Sequence, residues 1–478
     1  MKRRLLFVSN LLIEFSNYEP LGILYLSSSL KKYGHITYFS NSKWVEVLKA
    51  IKEFKPHIIA YSITTGMHKE LLELNRRLKK VSPFFALFGG PHTTFFPETI
   101  KEEGVDGICI GEGEEAIVDL ANRMEKGEEI KTIENLWIKQ DGTIYRNPVR
   151  NLVEDLDSIP FPDRALIYDR YKASRDSKIK FFISNRGCPF KCTYCFNHFF
   201  NSMYKGKGKI VRIRSVDNVL QEIAQVKQHY ALEFLKFVND IFFFQDEWIK
   251  EFAEKYPREI GLPFYCIVRA NMITPERVRY LKKAGCHSVA MGVESGNERI
   301  RNEVLRRKMS SEQIIEACKM IKSGGIRIFT QNMIGLPTES LENAFETLEL
   351  NKKCKPDYAW VSLYSPYPNT ILGEKAKDMG LFDGDIDSFS LTYHLGSPMK
   401  IPNGKKLNNL QKLFALAVEF PWITRCIKFL IRLPLTIFYE LVRKIWKGYA
   451  FKFRIYPVKL KFGEFVKLTV QFLLTKGG

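Results

Sequence analysis

The chain of 478 residues has little cysteine, and what it has is not arranged for disulfide bonds. Its nine cysteines are an odd number and are scattered, apart from three that lie close together, which argues against a disulfide framework and for a reducing cytosol. Acidic residues are scarce beside basic ones, and of the net charge of +20, +12 lies in residues 405–478, which carry 15 Lys and Arg against 3 Glu. A basic excess suits nucleic acid, anionic lipid or an acidic substrate and does not choose among them.

Long uncharged runs are missing from the C-terminal region, where no stretch approaches the roughly 20 apolar residues that a membrane span needs. The N-terminus has the positive charge of a signal peptide, but its apolar run, Leu5–Val8, stops at Ser9 without a small-residue cleavage site. A first β-strand is the better prediction there. The length of 478 residues exceeds what one core can organise, so two or three domains are expected.

One short loop carries the pattern around which the chain is organised. Cys188, Cys192 and Cys195 follow the strand-like run Ile179–Ile183, and Gly187 beside them favours a turn. Three thiolates on one loop can hold three of the four irons of a cubane iron–sulfur cluster, since each sulfur binds one iron. The fourth iron then stays open, and a small molecule with an amine and a carboxylate can chelate it and receive an electron.

Zinc is the alternative for this loop. His198 follows Cys195 by three positions, so the three cysteines and this histidine predict a closed Cys₃His zinc site. Structural zinc loops usually pair two such knuckles, and no second pair lies nearby in the sequence. The spacing favours the cluster and leaves zinc open.

The Cys-x₃-Cys-x₂-Cys loop, with Tyr194 before its last cysteine, resembles the signature of the radical S-adenosylmethionine (SAM) enzymes. The opening from Arg186 to Pro189 is similar to the branch of that family with an N-terminal cobalamin-binding domain. The resemblance implies that Cys188, Cys192 and Cys195 bind a 4Fe–4S cluster whose open iron binds SAM. It also implies that Tyr194 packs near the cluster and SAM.

Residues 1–150 alternate predicted strands and helices, which is typical of a parallel sheet covered on both faces. The predicted elements are strands at Leu5–Ser9, Thr37–Ser40, His57–Ile63, Phe84–Phe88 and Asp106–Ile110, and helices at Gly22–Lys32, Val45–Phe54, Leu71–Lys80 and Glu114–Glu125. Small residues follow three of the strands, where ligands of such sheets bind. They are Ser62, Thr64, Gly89, Gly90, Gly111 and Gly113. Ordinary turn chemistry is the alternative for each of these positions.

In their order along the chain these loops resemble the cobalamin-binding domain of the same enzyme branch, which implies that those six residues line a cobalamin site. The Asp-x-His-x-x-Gly motif, whose histidine ligates cobalt in other cobalamin proteins, is absent, and His35, His57 and His92 do not stand in its context. We therefore expect cobalamin without a histidine on its lower face. The domain contains a single cysteine, Cys109, so it lacks the second cysteine triad of methylthiotransferases that modify transfer RNA, which disfavours a nucleic-acid substrate.

Residues 151–175, with their prolines, are predicted to be an ordered linker, and residues 176–400 contain six strand–helix units. The strands are predicted near Ile179–Ile183, Phe234–Val238, Phe264–Val268, Ser288–Val293, Arg327–Ile334 and Tyr358–Leu363. Six such units indicate a barrel or part of one, with its chemistry at the carboxyl ends of the strands. The expected architecture is thus α/β: a Rossmann-like parallel sheet of the cobalamin-binding type, a partial (β/α)₆ TIM-type barrel, and a basic, mainly helical region at residues 401–478.

The strand ends of the predicted barrel carry the candidates for SAM binding, by resemblance to the family. Asp240 is expected to accept from the SAM ammonium, with a helix N-cap as the alternative, and Arg269 to meet a carboxylate, with a surface salt bridge as the alternative. Gly292, Glu294 and Ser295 are expected to meet the ribose. Gly335 is expected to meet adenine through its backbone.

The C-terminal region predicts either a helical cap over the barrel mouth or a basic, aromatic surface that rests on anionic membrane. The resemblance implies an enzyme that cleaves SAM reductively and, with cobalamin, methylates an unactivated carbon of a small-molecule or lipid-like substrate, with flavodoxin or ferredoxin as electron donor. Two alternatives remain: a radical cyclisation or rearrangement without methyl transfer, and a non-catalytic metal-binding protein that uses its basic tail on RNA or membrane. The expected location is cytoplasmic, with membrane association through that tail.

Overall fold

The computed structural model describes residues 1–9, 19–389 and 396–458, so the last part of the basic C-terminal region lies outside it. The chain forms two compact units. The first comprises Met1–Ser177 together with Phe200–Arg212, and the second comprises Lys178–Phe199 and the residues from Ile213 onward. Each is described by itself below.

The first unit is built on a sheet of seven strands in the order β2-β1-β3-β4-β5-β6-β7. The strands are β1 Arg4–Ser9, β2 Ile36–Asn41, β3 Ile58–Ser62, β4 Phe85–Gly89, β5 Gly107–Cys109, β6 Leu136–Gln140 and β7 Thr143–Arg146. The first five pair in parallel, while β6 and β7 form an antiparallel hairpin at the edge. The strand order reverses between β1 and β3, and ligands of doubly wound sheets bind at such a point.

Helices cover this sheet, and both of its faces are buried. The helices are α1 Leu21–Lys32, α2 Trp44–Phe54, α3 His68–Lys79, α4 Pro91–Phe95, α5 Glu114–Lys126, α6 Ala165–Tyr168 and α7 Lys172–Asp176. Within β1, Leu6 and Val8 join one hydrophobic core, while Leu5 and Phe7, on the opposite face, are equally buried. A strand buried on both faces is apolar throughout, which is why the sequence of β1 shows no alternation.

The second unit contains six parallel strands that follow one another across the sheet in chain order. They are β8 Ile179–Phe182, β11 Phe234–Phe237, β12 Phe264–Val268, β13 Cys286–Glu294, β14 Arg327–Ile334 and β15 Tyr358–Leu363, and the short strands β9 Asn185–Arg186 and β10 Arg212–Ile213 lie outside this sheet. Among the described residues the two edge strands, β8 and β15, do not pair with each other, so the barrel is open and therefore partial, as predicted. We call the carboxyl-terminal end of these strands the mouth, and the sheet face turned away from the covering helices the inner face.

Helices connect and cover the strands of this sheet, and several begin at a capping side chain. The helices are α8 Phe196–Met203, α9 Val216–His229, α10 Asp246–Glu259, α11 Pro275–Lys283, α12 Ser311–Ser323, α13 Leu341–Cys354, α14 Ile371–Asp378, α15 Gly404–Glu419, α16 Pro421–Leu430 and α17 Thr436–Ala450. Ser215, Thr274 and Ser310 each accept a hydrogen bond from a backbone N–H in the first turn of the helix that follows. These caps fix where each connection ends and each helix begins.

The described part of the C-terminal region packs beside the six-stranded sheet and at its amino-terminal end. Helix α15 packs against α13 and β15, where Phe414 and Val361 share a hydrophobic core. Beyond α17, the π-helical turn Phe451–Ile455 reaches the opposite, amino-terminal end of the sheet, where Ser288 Oγ donates to the Ile455 carbonyl at 2.8 Å. Among the described residues, no helix is both long enough and apolar enough to cross a bilayer.

Candidate active site

The cysteine loop lies at the mouth, between β9 and α8. Thr193, in its centre, fixes its position, because the Thr193 hydroxyl donates to the Val304 carbonyl at 2.6 Å and the Leu372 N–H donates to the Thr193 carbonyl at 2.9 Å. Burial raises the pKa of Cys188 to about 11 and that of Cys195 to about 12. Thiolates in such surroundings need a positive partner, and the irons of a cluster provide one.

Two metal centres were predicted for this loop, a cubane iron–sulfur cluster and a zinc ion. In the described part of the chain, no three His, Cys, Asp or Glu side chains are placed so that they could share one metal ion, and Cys188, Cys192, Cys195 and His198 do not form such a group. Three thiolates on one loop without a fourth protein ligand fit a cubane cluster, in which each sulfur binds a separate iron.

Arg269, at the end of β12, faces the cysteine loop. Its Nη1 lies 3.5 Å from Cys192 Sγ, its guanidinium carbon lies 4.0 Å from the centre of the Phe190 ring, and its Nε donates to Asn271 Oδ1 at 2.9 Å. The side chain is buried and has no carboxylate partner among the described residues, so it does not form a surface salt bridge. An N–H donor beside a ligating sulfur is one of the features that set the potential of an iron–sulfur cluster.

Arg307 organises the end of β13, and sequence reasoning missed it. Its Nη1 donates to Tyr194 Oη at 2.6 Å, its Nη2 donates to the Gly292 carbonyl at 2.6 Å, and Glu294 Oε1 lies 3.4 Å from Nη1. Burial raises the pKa of Glu294, and the Arg307 charge opposes that rise. Three sequence-predicted residues, Tyr194, Gly292 and Glu294, are therefore brought together by a fourth. A Cβ at Gly292 would overlap Glu294, which accounts for the glycine.

Asp240 and its neighbour Asn239 follow β11 at the mouth. The Asn239 side chain donates to the Asn185 carbonyl at 3.0 Å and holds the backbone of β9 in place. Asp240 is open at the mouth yet enclosed by protein on its other sides, and this enclosure raises its pKa against the hydrogen bond from Asn197. Helix α10 begins at Asp246, after Gln245, so Asp240 is not its N-cap.

Buried polar atoms without a partner lie at the mouth. The Ser295 hydroxyl, beyond β13, is buried without a hydrogen bond. Glu339 accepts from the backbone N–H groups of Gly335 and Leu336 through one oxygen, while its other oxygen is buried and unpaired. Since buried polar groups are nearly always paired in folded proteins, these atoms fit a site that receives a polar ligand such as SAM.

Glu339 was missed by sequence reasoning as well. Its carboxylate accepts a hydrogen bond from the Gly335 N–H, which was expected to meet adenine. Burial raises the pKa of Glu339 to about 8. The signal for it was local: a carboxylate four residues after a glycine in a tight turn can bond back to that turn.

The candidate cobalamin residues lie at the carboxyl edge of the first unit. Ser62 ends β3, next to the point between β1 and β3 at which the strand order reverses, and Gly89 ends the neighbouring strand β4. A Cβ at Gly90 would stand 2.9 Å from the Ile63 carbonyl oxygen, so this glycine also permits a close approach of two loops. Thr64 lies in the loop after β3.

Gly111 and Gly113, in the loop after β5, pack against the unit's own side chains. Gly111 has φ +77°, and a Cβ there would overlap the Tyr204 hydroxyl, which accepts from the Glu112 N–H at 3.0 Å. A Cβ at Gly113 would lie 3.3 Å from Leu26. Tyr204 therefore occupies space that the sequence alone assigned to a flat ligand at this loop.

The histidines of the first unit fall into two sets. His35 and His57 precede β2 and β3 at the amino-terminal edge. His35 accepts at 3.2 Å from the N–H of Arg3, just before β1, and His57 accepts at 3.0 Å from the N–H of Arg4, the first residue of β1. His92 lies at the other edge, where it stacks on His68 at 4.1 Å and pairs with Thr65 at 3.0 Å. His35 and His57 thus cap strand ends and lie away from the ligand-binding edge.

Comparison with known proteins identifies the family. A model described as the radical SAM superfamily matches residues 182–350, and one described as the B12 binding domain matches residues 15–121. An uncharacterized methyltransferase of Pyrococcus horikoshii is 30% identical over 366 residues, which cover 75% of this chain and 78% of that protein. The anaerobic magnesium-protoporphyrin IX monomethyl ester cyclase of Rubrivivax gelatinosus is 26% identical over 82% of this chain and 72% of that protein.

The fold has a close structural counterpart. The solved structure of the cobalamin-dependent S-adenosylmethionine radical enzyme OxsB, with aqua-cobalamin and S-adenosylmethionine bound, has a TM-score of 0.69 to this chain at 15% identity, over 98% of this chain and 79% of the other. The chain belongs to the radical SAM enzymes that carry a cobalamin-binding domain. Its cofactors are a 4Fe–4S cluster, SAM and cobalamin, so the predicted family, fold class, enzyme class and cofactors are confirmed.

Proposed function

We propose that the chain is a methyltransferase that acts on an unactivated carbon of a small-molecule or lipid-like substrate. The observation that carries the proposal is the pairing, in one chain, of a three-cysteine loop at the mouth of a partial barrel with a cobalamin-binding domain. When bound, the cluster and SAM supply a carbon-centred radical and cobalamin supplies a methyl group. The protein's part is to hold, orient and shield them.

The proposed roles of the residues follow from their chemistry. Cys188, Cys192 and Cys195 bind the cluster, and Asp240 accepts from the SAM ammonium. Glu294 and Ser295 meet the ribose, and the unpaired, buried Ser295 hydroxyl supports this assignment. The remaining SAM contacts are assigned to Tyr194, Arg269, Gly292 and Gly335, and the cobalamin contacts to Ser62, Thr64, Gly89, Gly90, Gly111 and Gly113. Their common position at the carboxyl edges of two parallel sheets supports both assignments.

The test is transfer of a labelled methyl group. Protein purified without oxygen and supplied with cobalamin is expected to contain cobalt and about four irons per chain. With a reductant and SAM labelled in its methyl group, it should release 5′-deoxyadenosine and pass the label to substrate in cell extract. 5′-Deoxyadenosine without transferred label would favour the cyclase or rearrangement alternative, which the similarity to the Rubrivivax cyclase supports. Zinc without iron would overturn the proposal.

The C-terminal region is proposed to rest on an anionic membrane surface. Helices α16 and α17 and the turn after them expose large apolar side chains: Trp422, Phe429, Leu435, Ile437, Phe438, Leu441, Ile445, Tyr449 and Phe453. Exposed Arg425, Lys428 and Arg432 lie along the same segment. An apolar helix face flanked by basic residues is typical of proteins that lie on bilayers.

Vesicle flotation tests this surface. The holoprotein is expected to float with vesicles that contain phosphatidylglycerol and to be released by salt, since anionic lipid attracts the basic side chains. The double substitution Ile437→Ser and Phe438→Ser should abolish flotation, whereas Val45→Ser, at an equally exposed apolar position on α2, should not. Equal flotation of the double variant and the wild type would contradict the assignment.

A further inference from the structure

Lys236, in the middle of β11, points into the inner face of the six-stranded sheet. Its neighbours Leu235 and Phe237 both join the core between the sheet and its helices. Because side chains alternate along a strand, Lys236 must point the other way. None of the proposed cluster or SAM contacts involves this lysine.

Aromatic rings surround the ammonium group of Lys236. Its Nζ lies 4.7 Å from the ring centre of Phe181, 5.7 Å from that of Tyr265 and 4.6 Å from that of Tyr456. Over the described residues it has no carboxylate within ion-pair distance. Enclosure by these rings lowers the pKa of Lys236 to about 8.

Space remains on the inner face between Lys236 and the mouth. Val238, two positions further along, is 37% exposed although it points the same way. Ile267, Gln331 and Trp360, on the inner side of three other strands, are also part-exposed. Native cores leave few such gaps between packed side chains, so this face is lined for a ligand.

The far end of this space is closed. Tyr456 follows the π-helical turn Phe451–Ile455 and packs edge-on against Phe234 and Tyr265 at the amino-terminal end of the sheet. A ligand that reaches Lys236 therefore comes from the mouth, where Asp240 stands. Asp240 follows Lys236 by four positions and lies just beyond the end of β11 at Phe237.

We propose that Lys236 binds a terminal anionic oxygen group, a carboxylate or a phosphate, of the substrate. The inference rests on the proposed function, because it assigns the substrate of the same site. The aromatic and aliphatic side chains between Lys236 and the mouth contact an elongated apolar body. The reacting carbon then lies near the mouth, within reach of SAM. The substrate class is thus an amphiphile with one anionic end.

Binding of three matched probes tests this assignment. Decanoate and decyl phosphate carry an anionic head on the same chain, and decanol carries a neutral one. Titration calorimetry on the anaerobic, cluster-loaded enzyme without SAM is expected to show that both anions bind at least about tenfold more tightly than decanol, the ratio that a single charge-assisted contact supports. Equal binding of the three probes, or no binding of the anions, would overturn the proposal.

Variants assign the effect to Lys236. Lys236→Met should reduce the affinity for decanoate to that for decanol, and Lys236→Arg should retain most of it, because the charge is kept. Val238→Phe should weaken all three probes alike, since it fills the space above Lys236; this variant keeps the test decisive if Lys236→Met fails to fold. Unchanged decanoate affinity in a folded Lys236→Met variant would overturn the assignment.

The two proposals fail separately. Iron content and 5′-deoxyadenosine release report on the proposed function and require no anion at Lys236. Preferential anion binding that depends on Lys236, in a protein that transfers no methyl group, would leave this inference standing and remove the methyltransferase. Methyl transfer to a neutral substrate, unaffected by Lys236→Met, would support the methyltransferase and overturn the role of Lys236.

Discussion

Arg307 is the side chain that organises the carboxyl end of β13. It holds Tyr194, the Gly292 carbonyl and Glu294 in one buried group, and residues of positive φ, Arg306 and Lys308, flank it. The cysteine spacing could be recognised in the sequence because ligation is a local pattern. Arg307 could not, because its role arises only when the loop after β13 folds back on that strand.

Replacing Arg307 should damage both stability and SAM cleavage. Arg307→Met leaves Glu294 buried without its cation, and losing one partner of a buried pair typically costs about 3 kcal/mol. We expect that loss in urea denaturation, together with at least a tenfold slower release of 5′-deoxyadenosine. Arg306→Met is the matched control, because Arg306 is the preceding residue of the same loop and its side chain is exposed. Equal effects of the two substitutions would show that the loop, and not the buried group, is what matters.

Glu339 should make stability depend on pH. Its pKa is raised from 4.5 to about 8 by burial, so the folded state keeps a proton that the unfolded state releases. Stability therefore falls as pH rises from 4.5 through about 8, by on the order of 5 kcal/mol, and levels off above that pH. Glu339→Gln should flatten this dependence in denaturation curves of the SAM-free protein. Glu303→Gln, at an exposed carboxylate, should leave the pH dependence unchanged. A wild-type unfolding free energy that does not vary with pH would contradict the inference that Glu339 keeps its proton in the folded state.

At the scale of elements, the sequence predicted every parallel strand of both sheets, because buried parallel strands are short apolar runs between helices. The β6–β7 hairpin was missed although Asp141 and Gly142, both at positive φ, form the two-residue turn that such hairpins use. The surface against which the C-terminal helices pack was not predicted from the sequence. Amphipathic helices reveal that a face is buried, but not which surface buries it.

The loop after β5 offers a test of close packing. Gly111→Ala combines the strain of positive φ with an overlap against Tyr204, whereas Gly127→Ala, at φ +73° with no atom within 4 Å of a new Cβ, has the strain alone. We expect Gly127→Ala to cost about 1 kcal/mol and Gly111→Ala about 2 kcal/mol more. Tyr204→Phe should restore part of that difference, because it removes the overlapping hydroxyl. Identical losses in the two alanine variants would contradict the packing role.

At the scale of the whole molecule, each unit has a hydrophobic core of its own. Chains with separate cores commonly unfold in more than one step. Removing the cluster by chelation, or by Cys192→Ala, should lower the midpoint of one calorimetric transition and leave the other in place. Cys109→Ala, in the first unit, should move the other transition instead. A single transition that shifts as a whole would show that the two units unfold together.

Tyr456 and the turn before it close the amino-terminal end of the sheet, so among the described residues the mouth is the one entrance to the inner face. Whatever binds deepest must enter first and leave last. If SAM occupies the mouth, substrate has to arrive before it, and the finished product is released only after the spent cofactor has gone. The architecture thus imposes an ordered kinetic sequence, in which substrate binds before SAM and product leaves after it.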